Sequence, residues 1–326
     1  MRINLKDNAS CRCAVTIGSF DGVHKGHQYV IRQLAGMAHS RQLAAVAVTF
    51  ANHPLQILRQ GDPLLTLTDR EEKEQRLKAA GADEVVFLSF TEEMAAMDAR
   101  TFMSTFLRDR LNAEVLLMGY DNHIGHDRLC FGECVAAGKE LGIEVVGCDE
   151  WEAGRGVSST SIRHCIAVGD IEGANERLGY EYSLAGKVVA GFQNGRKMGF
   201  PTANIEMASH KVMPASGVYA VRVWIEGEED KRRGGMLNIG TRPTLHNGER
   251  ISIEVHIFDY SGNLYDKLLS VAFIARLREE REYGTVEELK EQLAKDEARC
   301  RRILEDEGRT EKDVVVSASE AKGDIF

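Results

Sequence analysis

The 326-residue chain lacks the features that would place it in several large protein classes. No apolar stretch approaches the ~20 residues that a membrane-spanning helix needs. The first residues, Met1–Cys11, have no apolar core of the kind found in secretory signal peptides. We therefore expect no membrane association and predict a cytoplasmic protein.

Positive charge is not concentrated anywhere in the sequence. The net charge is −9, and no block of lysine and arginine stands out. Nonspecific binding to nucleic acid or to an anionic membrane is therefore not expected, although a local basic pocket stays compatible with the sequence. The charge balance does not define an oligomeric state.

The seven cysteines follow no pattern typical of disulfides or zinc sites. Their number is odd, Cys11 and Cys13 form a C-x-C pair, and Cys130 and Cys134 form a C-x-x-x-C pair. Neither pair has the spacing of a zinc site, and the low density argues against a disulfide framework. We predict reduced thiols without a metal or redox role.

The apolar sequence that is present suffices for two domains. The chain is 43% hydrophobic and longer than one typical domain. In about the first 150 residues, short apolar runs alternate with helical patterns, such as residues 27–37, where Ile31 and Leu34 share a face. The runs are Ala14–Ile17, Ala44–Phe50, Glu84–Leu88, Val115–Met118 and Glu144–Gly147. This alternation predicts an α/β domain with a doubly wound parallel sheet, with its ligand site at the carboxyl ends of the strands.

From about Leu184 the pattern changes to short strands and turns. In the segment ISIEVHIF the apolar residues from Ile251 to Ile257 alternate with polar ones that include Glu254. A small β-barrel fits this region. Its clearest strands are Val218–Ile225, Ile251–Phe258 and Leu268–Ala275.

Two capping boxes predict helix starts, Thr68 with Glu71 and Thr285 with Glu288. The helix after Thr285 is expected to end near Leu304, and the polar residues beyond it to form a flexible tail. We predict one domain over residues 1–183, a second over 184–306, and a tail over 307–326.

The first group of chemically informative residues follows the strand that ends at Ile17. His24 and His27 flank Gly26 at a predicted helix start, preceded by Asp21 and Gly22. Two imidazoles beside the free N–H groups of a helix start suit a triphosphate. Nucleotidyl transfer needs mainly such charge stabilisation from the protein. Two incidental histidines at a helix start are the alternative, but the strand and the surrounding glycines favour function.

A second segment, Ser158–Arg163, places several hydroxyls and one guanidinium immediately before a predicted helix. Hydroxyls and arginine are natural phosphate donors. On its own this segment is equally typical of an ordinary helix cap. In combination with the H-x-G-H sequence at His24, it favours phosphate binding.

The segments SFDGVHKGH, VTFANHP and GVSSTSIR together resemble the adenylyltransferase module of prokaryotic bifunctional riboflavin kinase/FAD synthetases. The resemblance implies a nucleotidyltransferase-type, Rossmann-like sheet. It also implies ATP-phosphate binding by His24 and His27, which would be the catalytic pair. The further phosphate-side residues that it implies are Gly18, Phe20, Asp21, Gly26, Ser159, Thr160 and Arg163. The residues implied near the flavin or the nucleotide are Phe50, His53, Pro54 and Asp121.

One segment departs from that family. Where the family usually reads G-x-D-F-x-F-G, this chain retains Asp121 and Gly125 but has Asn122 and Ile124 at the aromatic positions. An aromatic ring there could stack on a ligand ring or pack the wall of the site. The change concerns the flavin side of this module and leaves its phosphate-binding residues intact.

The chain has no Walker A sequence, so a kinase site would need another phosphate-binding segment. The second group of residues lies in a glycine-rich segment that could serve this purpose. Gly191, Gly195 and Gly199 would let the backbone approach a ligand. Thr202 and Asn204 are two apart, so both oxygens face the same way on an extended strand and can contribute to a magnesium site. A glycine-rich turn before a strand is the alternative. Glu254 is a candidate general base, with a solvated strand glutamate as its alternative.

The segments GRKMGFPTANI, GVYAV, LNIGTRPTL, IEVHIFD and RLREEREY resemble, in order, the riboflavin kinase module of the same family. The resemblance implies that Thr202 and Asn204 bind Mg²⁺ and that Glu254 is the catalytic base. The residues implied on the ATP side are Gly191, Gly195, Arg196, Lys197, Gly199 and Pro201. Those implied on the flavin side are Asn238, Thr241, Arg278 and Glu280. Tyr283 stands where the family usually has phenylalanine, which is a mild change.

Both resemblances predict a bifunctional enzyme that uses ATP, Mg²⁺, riboflavin and FMN and produces FAD. Three alternatives remain open from the sequence. The chain could be mainly a riboflavin kinase with a weakened adenylyltransferase, because of Asn122 and Ile124. Its first domain could act on another small phosphate or use CTP. Finally, the chain could bind flavin as a regulator without turnover, which the retained Glu254 argues against.

Overall fold

The computed structural model describes residues 12–52, 65–119, 122–149, 151, 156–191, 195, 198–207, 210–228, 230–243 and 249–320. Side chains of residues 241–243, 249–250 and 307–320 are outside this description. The chain forms two compact units, Met1–Ser161 and Ile162–Phe326.

The first unit is built on a five-stranded parallel sheet in the order β3-β2-β1-β4-β5. The strands are β1 (Cys13–Ile17), β2 (Ala44–Phe50), β3 (Glu84–Leu88), β4 (Ala113–Met118) and β5 (Glu144–Gly147). The order reverses between β1 and β4, which is the hallmark of a doubly wound fold. The predicted sheet is confirmed, and all five apolar runs are strands.

Helices cover both faces of this sheet. They are α1 (Lys25–Ser40), α2 (Arg70–Ala79), α3 (Glu92–Ala95), α4 (Ala99–Phe102), a π-helical continuation (Met103–Arg108) and α5 (Phe131–Leu141). Neighbouring residues of β1 belong to two different hydrophobic clusters. Val15 packs with Met103 and Leu107, whereas Ala14 packs with Leu34 of α1. Burial on both faces explains the continuous apolar runs of the three central strands, β1, β2 and β4, whereas the edge strands β3 and β5 are only partly buried.

The start of α2 differs from the prediction. Asp69, not Thr68, caps the helix, because its carboxylate accepts the Glu72 N–H at 2.8 Å. The Thr68 hydroxyl is buried and instead accepts the Gly22 N–H at 3.2 Å. The capping pattern therefore located the helix within one residue, but it assigned the wrong partner to Thr68.

The second unit contains a closed antiparallel barrel in the order β10-β7-β6-β11-β8-β9. Its strands are β6 (Ser183–Val189), β7 (Ala203–Met207), β8 (Gly217–Ile225), β9 (Arg233–Pro243), β10 (Glu249–Ile257) and β11 (Leu268–Arg278). The predicted small barrel is confirmed. Closure leaves no unpaired edge among these strands, which is how short strands form a stable sheet.

A long helix, α8 (Val286–Glu320), packs one face against the barrel. Cys300 of this helix is fully buried with Met236 and Phe258. At its start the Thr285 hydroxyl accepts the Glu288 N–H at 3.2 Å, as the capping box predicted. The helix runs beyond the expected end near Leu304, because residues 305–320 contain no proline and only one glycine to interrupt it.

Two helices precede the barrel, α6 (Ser159–Val168) and α7 (Ile171–Leu178). Asn175 of α7 donates its side-chain N–H to the Phe273 carbonyl of β11 at 2.8 Å and accepts the Tyr182 N–H. These contacts tie α7 to the barrel, and the two compact units divide between Ser161 and Ile162. The predicted limits of 1–183 and 184–306 stay a prediction.

Across the described residues, no helix is both long and apolar enough to cross a membrane.

Candidate active sites

The loop after β1 lies where the strand order of the parallel sheet reverses. It contains two non-glycine residues with positive φ, Phe20 at 45° and Val23 at 34°, both buried. Such conformations cost about 1 kcal/mol or more each and persist only where surrounding contacts enforce them. The backbone of this loop is therefore held in place by its neighbours.

Hydrogen bonds from three other segments supply that restraint. The fully buried Asp21 carboxylate accepts the Leu67 N–H at 2.9 Å, and the Ser159 hydroxyl donates to the Asp21 carbonyl at 2.8 Å. The Ser19 carbonyl accepts the Thr49 hydroxyl at 3.0 Å and the Lys73 ammonium at 2.9 Å. Asp21 is thus a loop anchor as well as a neighbour of the predicted phosphate site.

His24 and His27 lie together at the start of α1. His24 is the N-cap, and its Nδ1 accepts the His27 N–H at 3.3 Å. The two rings stack with centroids 3.6 Å apart and 17° between their planes. A Cβ on Gly26 would lie 3.2 Å from the His24 ring, a tight approach that would require the ring to shift by a few tenths of an ångström. The H-x-G-H sequence therefore presents two stacked imidazoles over a helix start.

The environment of His27 favours its neutral form. Burial is the main cause that lowers the pKa of His27 well below 6.5, and the nearby charges of His24 and Lys73 lower it further. The Phe20 ring meets the His27 ring edge to face at 5.2 Å. The buried His27 Nδ1 has no hydrogen-bond partner among the residues that the structure describes. A neutral imidazole at pH 7 can donate one N–H to a phosphate oxygen.

The other predicted phosphate residues of this module are on α6. Ser159 and Thr160 open the helix, and Arg163 follows one turn later. Ser159 contacts the loop after β1 through the Asp21 carbonyl. Thr160 is exposed and Arg163 is half-buried.

Trp151 lies beside the start of α1, with a ring carbon 3.6 Å from a Cβ placed on Gly26.

A cavity of about 220 Å³ opens at the carboxyl edge of the sheet, between the ends of β1, β2 and β4. Gly18 and Phe50, both predicted, line it together with Asn122 and Ile124. The Asn122 amide donates to the Ile17 carbonyl at 3.1 Å, and Ile124 is part of the buried core. The segment that differs from the family pattern, with Asn122 and Ile124, thus forms one wall of this cavity. The predicted residues His53, Pro54 and Asp121 lie outside the described part of the chain.

Sequence reasoning missed two residues that support this site, Thr68 and Lys73. Both lie at the start of α2 and contact the loop after β1. The sequence of α2 does not distinguish the buried Lys73 from the exposed Lys78, because both are lysines in the same charged helix. Only the tertiary contact between two distant segments distinguishes them.

The second candidate site lies on the barrel, where three adjacent strands bring polar residues into register. Glu254 of β10 is paired with Asn204 of β7 on one side and with Asn238 of β9 on the other. The Thr202 hydroxyl donates to the Glu254 carboxylate at 3.2 Å. The structure therefore places Thr202 and Asn204 next to Glu254, and their roles stay a prediction.

The glycines of this module lie in close contact with a neighbour or in a backbone conformation that favours glycine. A Cβ on Gly191 would overlap the Asn204 amide, and one on Gly195 would overlap the Phe200 carbonyl oxygen. Gly199 has φ 88°, which favours glycine. Pro201 accepts a hydrogen bond through its carbonyl from the His256 ring at 2.8 Å. The predicted residues Arg196 and Lys197 lie outside the described part of the chain.

Two cavities meet at Thr202. The larger, of about 550 Å³, is lined by Gly191, Thr202, Asn204 and the loop at residues 260–265. The smaller, of about 270 Å³, is lined by Thr202, Glu254, Asn238 and residues at the end of β11. Asn204 belongs only to the larger cavity and Glu254 only to the smaller one. A phosphate donor and a hydroxyl acceptor could thus reach Thr202 from two different cavities.

The predicted flavin-side residues line the smaller cavity. Arg278 forms an ion pair of 2.7 Å with Asp296 of α8, whose side chain is 5% exposed. Glu280 lies against Gly240, where a Cβ would overlap its carboxylate. The side chain of Thr241 is outside the described part of the chain. Asp296 was missed by sequence reasoning, because nothing in the helical pattern of α8 connects it to β11.

Comparison with known proteins covers both units. The FAD synthetase family matches residues 6–161, and the riboflavin kinase family matches residues 178–304. The bifunctional riboflavin kinase/FMN adenylyltransferase of Escherichia coli (strain K12) is 35% identical over 92% of this chain and 96% of its own length. The enzyme of that name from Bacillus subtilis (strain 168) is 32% identical over 87% of this chain and 90% of its own.

A solved structure agrees along most of the chain. A crystal structure described as a macrolide-efflux protein from Streptococcus pneumoniae superposes with a TM-score of 0.81 at 32% identity. It covers 91% of this chain and 97% of its own. The chain therefore belongs to the bifunctional riboflavin kinase/FMN adenylyltransferase family, and it converts riboflavin to FMN and FMN to FAD at the expense of ATP.

Proposed function

We propose that riboflavin is phosphorylated at the barrel, with ATP in the larger cavity and riboflavin in the smaller one. The observation that carries this assignment is the Thr202–Glu254 contact at the boundary of the two cavities. Glu254 is the base that accepts the proton of the ribityl 5′-hydroxyl, whose oxygen attacks the γ-phosphorus while ADP leaves. Arg278, oriented by Asp296, faces the flavin together with Asn238 and Glu280.

Thr202 and Asn204 fit a magnesium site. They offer a hydroxyl and an amide oxygen at the wall of the larger cavity, and Mg²⁺ commonly takes one or two protein oxygens and completes its coordination with phosphate oxygens and waters. Bound Mg²⁺ would neutralise negative charge on the β- and γ-phosphates. The exclusion of any side chain at Gly191 supports this proposal, because it leaves the Asn204 amide room at the cavity wall.

FMN is adenylylated, on this proposal, at the loop after β1. His24 and His27 hold the triphosphate at the start of α1, and Ser159, Thr160 and Arg163 steady it from α6. An FMN phosphate oxygen attacks the α-phosphorus, the bond to the β-phosphate oxygen breaks, and pyrophosphate leaves. The stacking of His27 on His24 and the lowered pKa of His27 support donation of a neutral N–H to the developing charge.

Two sets of variants test the assignments against each other. Glu254→Gln should lower the rate of FMN formation from riboflavin by about 100-fold or more, because general bases contribute 10²–10⁴-fold. The same variant should form FAD from supplied FMN at the normal rate. The double substitution His24→Ala and His27→Ala should give the opposite result.

Glu206→Gln serves as the matched control, since Glu206 is an exposed carboxylate on the strand next to Glu254. Chromatographic separation of riboflavin, FMN and FAD over time measures both reactions. Normal FMN formation by the Glu254 variant would contradict the kinase assignment. Normal FAD formation by the double variant would contradict the adenylyltransferase assignment.

A second candidate, in which adenylylation is weak, is favoured by one observation only. Asn122 and Ile124 line the cavity at the sheet edge where the family usually has aromatic residues. Asn122 is engaged by the Ile17 carbonyl, and Ile124 is buried, so neither offers a ring for stacking. Accumulation of FMN without FAD from riboflavin and excess ATP would support this candidate.

A further inference from the structure

Lys73 is a buried cation in a position that nothing in the sequence pattern explains. The residue is 9% exposed, on the inward side of α2. Its ammonium donates to the Ser19 carbonyl at 2.9 Å. Burial lowers the pKa of Lys73, and the charge of Asp21 opposes that shift. A cation is retained in such surroundings only where neighbouring groups compensate for its lost hydration.

The carbonyl that Lys73 binds begins the strained part of the loop after β1. Phe20, the next residue, has φ 45°, and Val23 has φ 34°. The segment just before α2 also holds this loop, because the Leu67 N–H donates to the Asp21 carboxylate and the Gly22 N–H donates to the Thr68 hydroxyl. The segment Leu67–Lys73 therefore makes hydrogen bonds at three positions of the loop that leads directly into His24.

We propose that Lys73 is a positioning residue for adenylyl transfer, which holds the Ser19 carbonyl and thereby fixes the loop that sets His24 and His27 against the triphosphate. This inference rests on the proposed phosphate-binding role of the two histidines. Lys73 acts through the loop and not by contact with the reacting atoms.

Electrostatics provides independent support. His27 faces two charges that disfavour its protonation, those of His24 and Lys73, and both add to the effect of burial on its pKa. Asp21 is the anionic group that faces Lys73. Removal of the Lys73 charge should therefore raise the pKa of His27 toward 6.5. If the neutral imidazole is the working form, the acid-side loss of FAD formation must then move to higher pH.

The test compares Lys73→Met, Lys73→Arg and Lys78→Met in the full chain. Lys78 lies on the same helix but is exposed and paired with Glu74. Lys73→Met should lower kcat/KM for ATP in FAD formation from FMN by about 10- to 100-fold, the usual effect of a misplaced reacting group. It should also shift the acid limb of the pH profile upward. Lys73→Arg should restore part of the rate and the original acid limb, and Lys78→Met should match the unchanged enzyme.

FMN formation from riboflavin, measured on the same samples, reports on the other active site. Its rate should stay within about twofold of the unchanged enzyme in all three variants. A tenfold change would correspond to ~1.4 kcal/mol. An unchanged rate and an unchanged acid limb in Lys73→Met would overturn the proposal. So would equal losses in Lys73→Met and Lys73→Arg with no movement of the acid limb, because that result indicates a packing role. Normal FAD formation in the double histidine variant would instead overturn the site assignment on which the inference rests.

Discussion

At the residue scale, several functional groups depend on a neighbour that has no side chain. Gly26 leaves space for the His24 ring, Gly191 for the Asn204 amide, and Gly240 for the Glu280 carboxylate. In each case the glycine faces a predicted site residue. These positions explain why the glycine-rich segments could be recognised as ligand-binding from the sequence, although the contact partners could not.

We predict that Gly191→Ala selectively impairs FMN formation. The added methyl would displace the Asn204 amide from the proposed magnesium site, and a loss of ~1.4 kcal/mol at the transition state lowers the rate about tenfold. Gly36→Ala is the control, since a Cβ on Gly36 meets no atom within 4 Å. Initial rates of both reactions decide the matter, and a normal rate of FMN formation in Gly191→Ala would contradict the expected displacement.

At the scale of elements, α8 supports the flavin side of the barrel through one buried ion pair. Asp296 binds Arg278 at the end of β11, next to residues that line the smaller cavity. A second pair, between Arg301 and Asp259, joins the same helix to the end of β10, but Asp259 is 79% exposed. The two pairs differ in burial and therefore in what they contribute.

Asp296→Asn should destabilise the barrel and weaken riboflavin binding. Loss of the carboxylate leaves the Arg278 cation without its partner, which costs about 3 kcal/mol for a buried pair. Asp259→Asn, which tolerates the positive φ at this position, should change little, because solvent screens the exposed pair. Thermal unfolding and the KM for riboflavin measure both effects, and equal behaviour of the two variants would refute this distinction.

The elements themselves were largely predictable, whereas their contacts were not. The five apolar runs are the five parallel strands, and burial on both faces selects continuous apolar sequence in the central three, β1, β2 and β4. Alternation in the segment at Ile253 likewise indicated a barrel strand. Lys73, Thr68 and Asp296 were missed because each contacts a segment distant in sequence. The length of α8 was underestimated because residues 305–320 lack a hydrophobic period.

At the scale of the whole molecule, the proposed residues of the two sites fall mainly into different units, with Arg163 as the exception. His24, His27 and Ser159 lie within Met1–Ser161, and Thr202, Asn204 and Glu254 lie within Ile162–Phe326. FMN is the product of one reaction and the substrate of the other. Two chains with complementary defects should therefore be able to share it through solution.

We expect a mixture of Glu254→Gln and the double His24→Ala, His27→Ala variant to make FAD from riboflavin and ATP. Neither protein alone should do so at a comparable rate, because each lacks one reaction. FAD should appear after a lag during which FMN builds up. The lag should shorten as the concentration of the Glu254→Gln variant rises, because that variant consumes FMN. Chromatography of timed samples measures this. A mixture that stops at FMN would show that FMN released by one chain does not reach another.

Thr202 lies in the walls of both cavities of the barrel. On the proposed assignment, ATP and riboflavin therefore both lie next to this one residue. Whatever affinity riboflavin gains from bound ATP, ATP must gain from bound riboflavin by the same factor, because the two routes to the ternary complex close a thermodynamic cycle. Contact of both substrates with Thr202 therefore predicts reciprocal coupling between their binding, which titration of each in the presence of the other would measure.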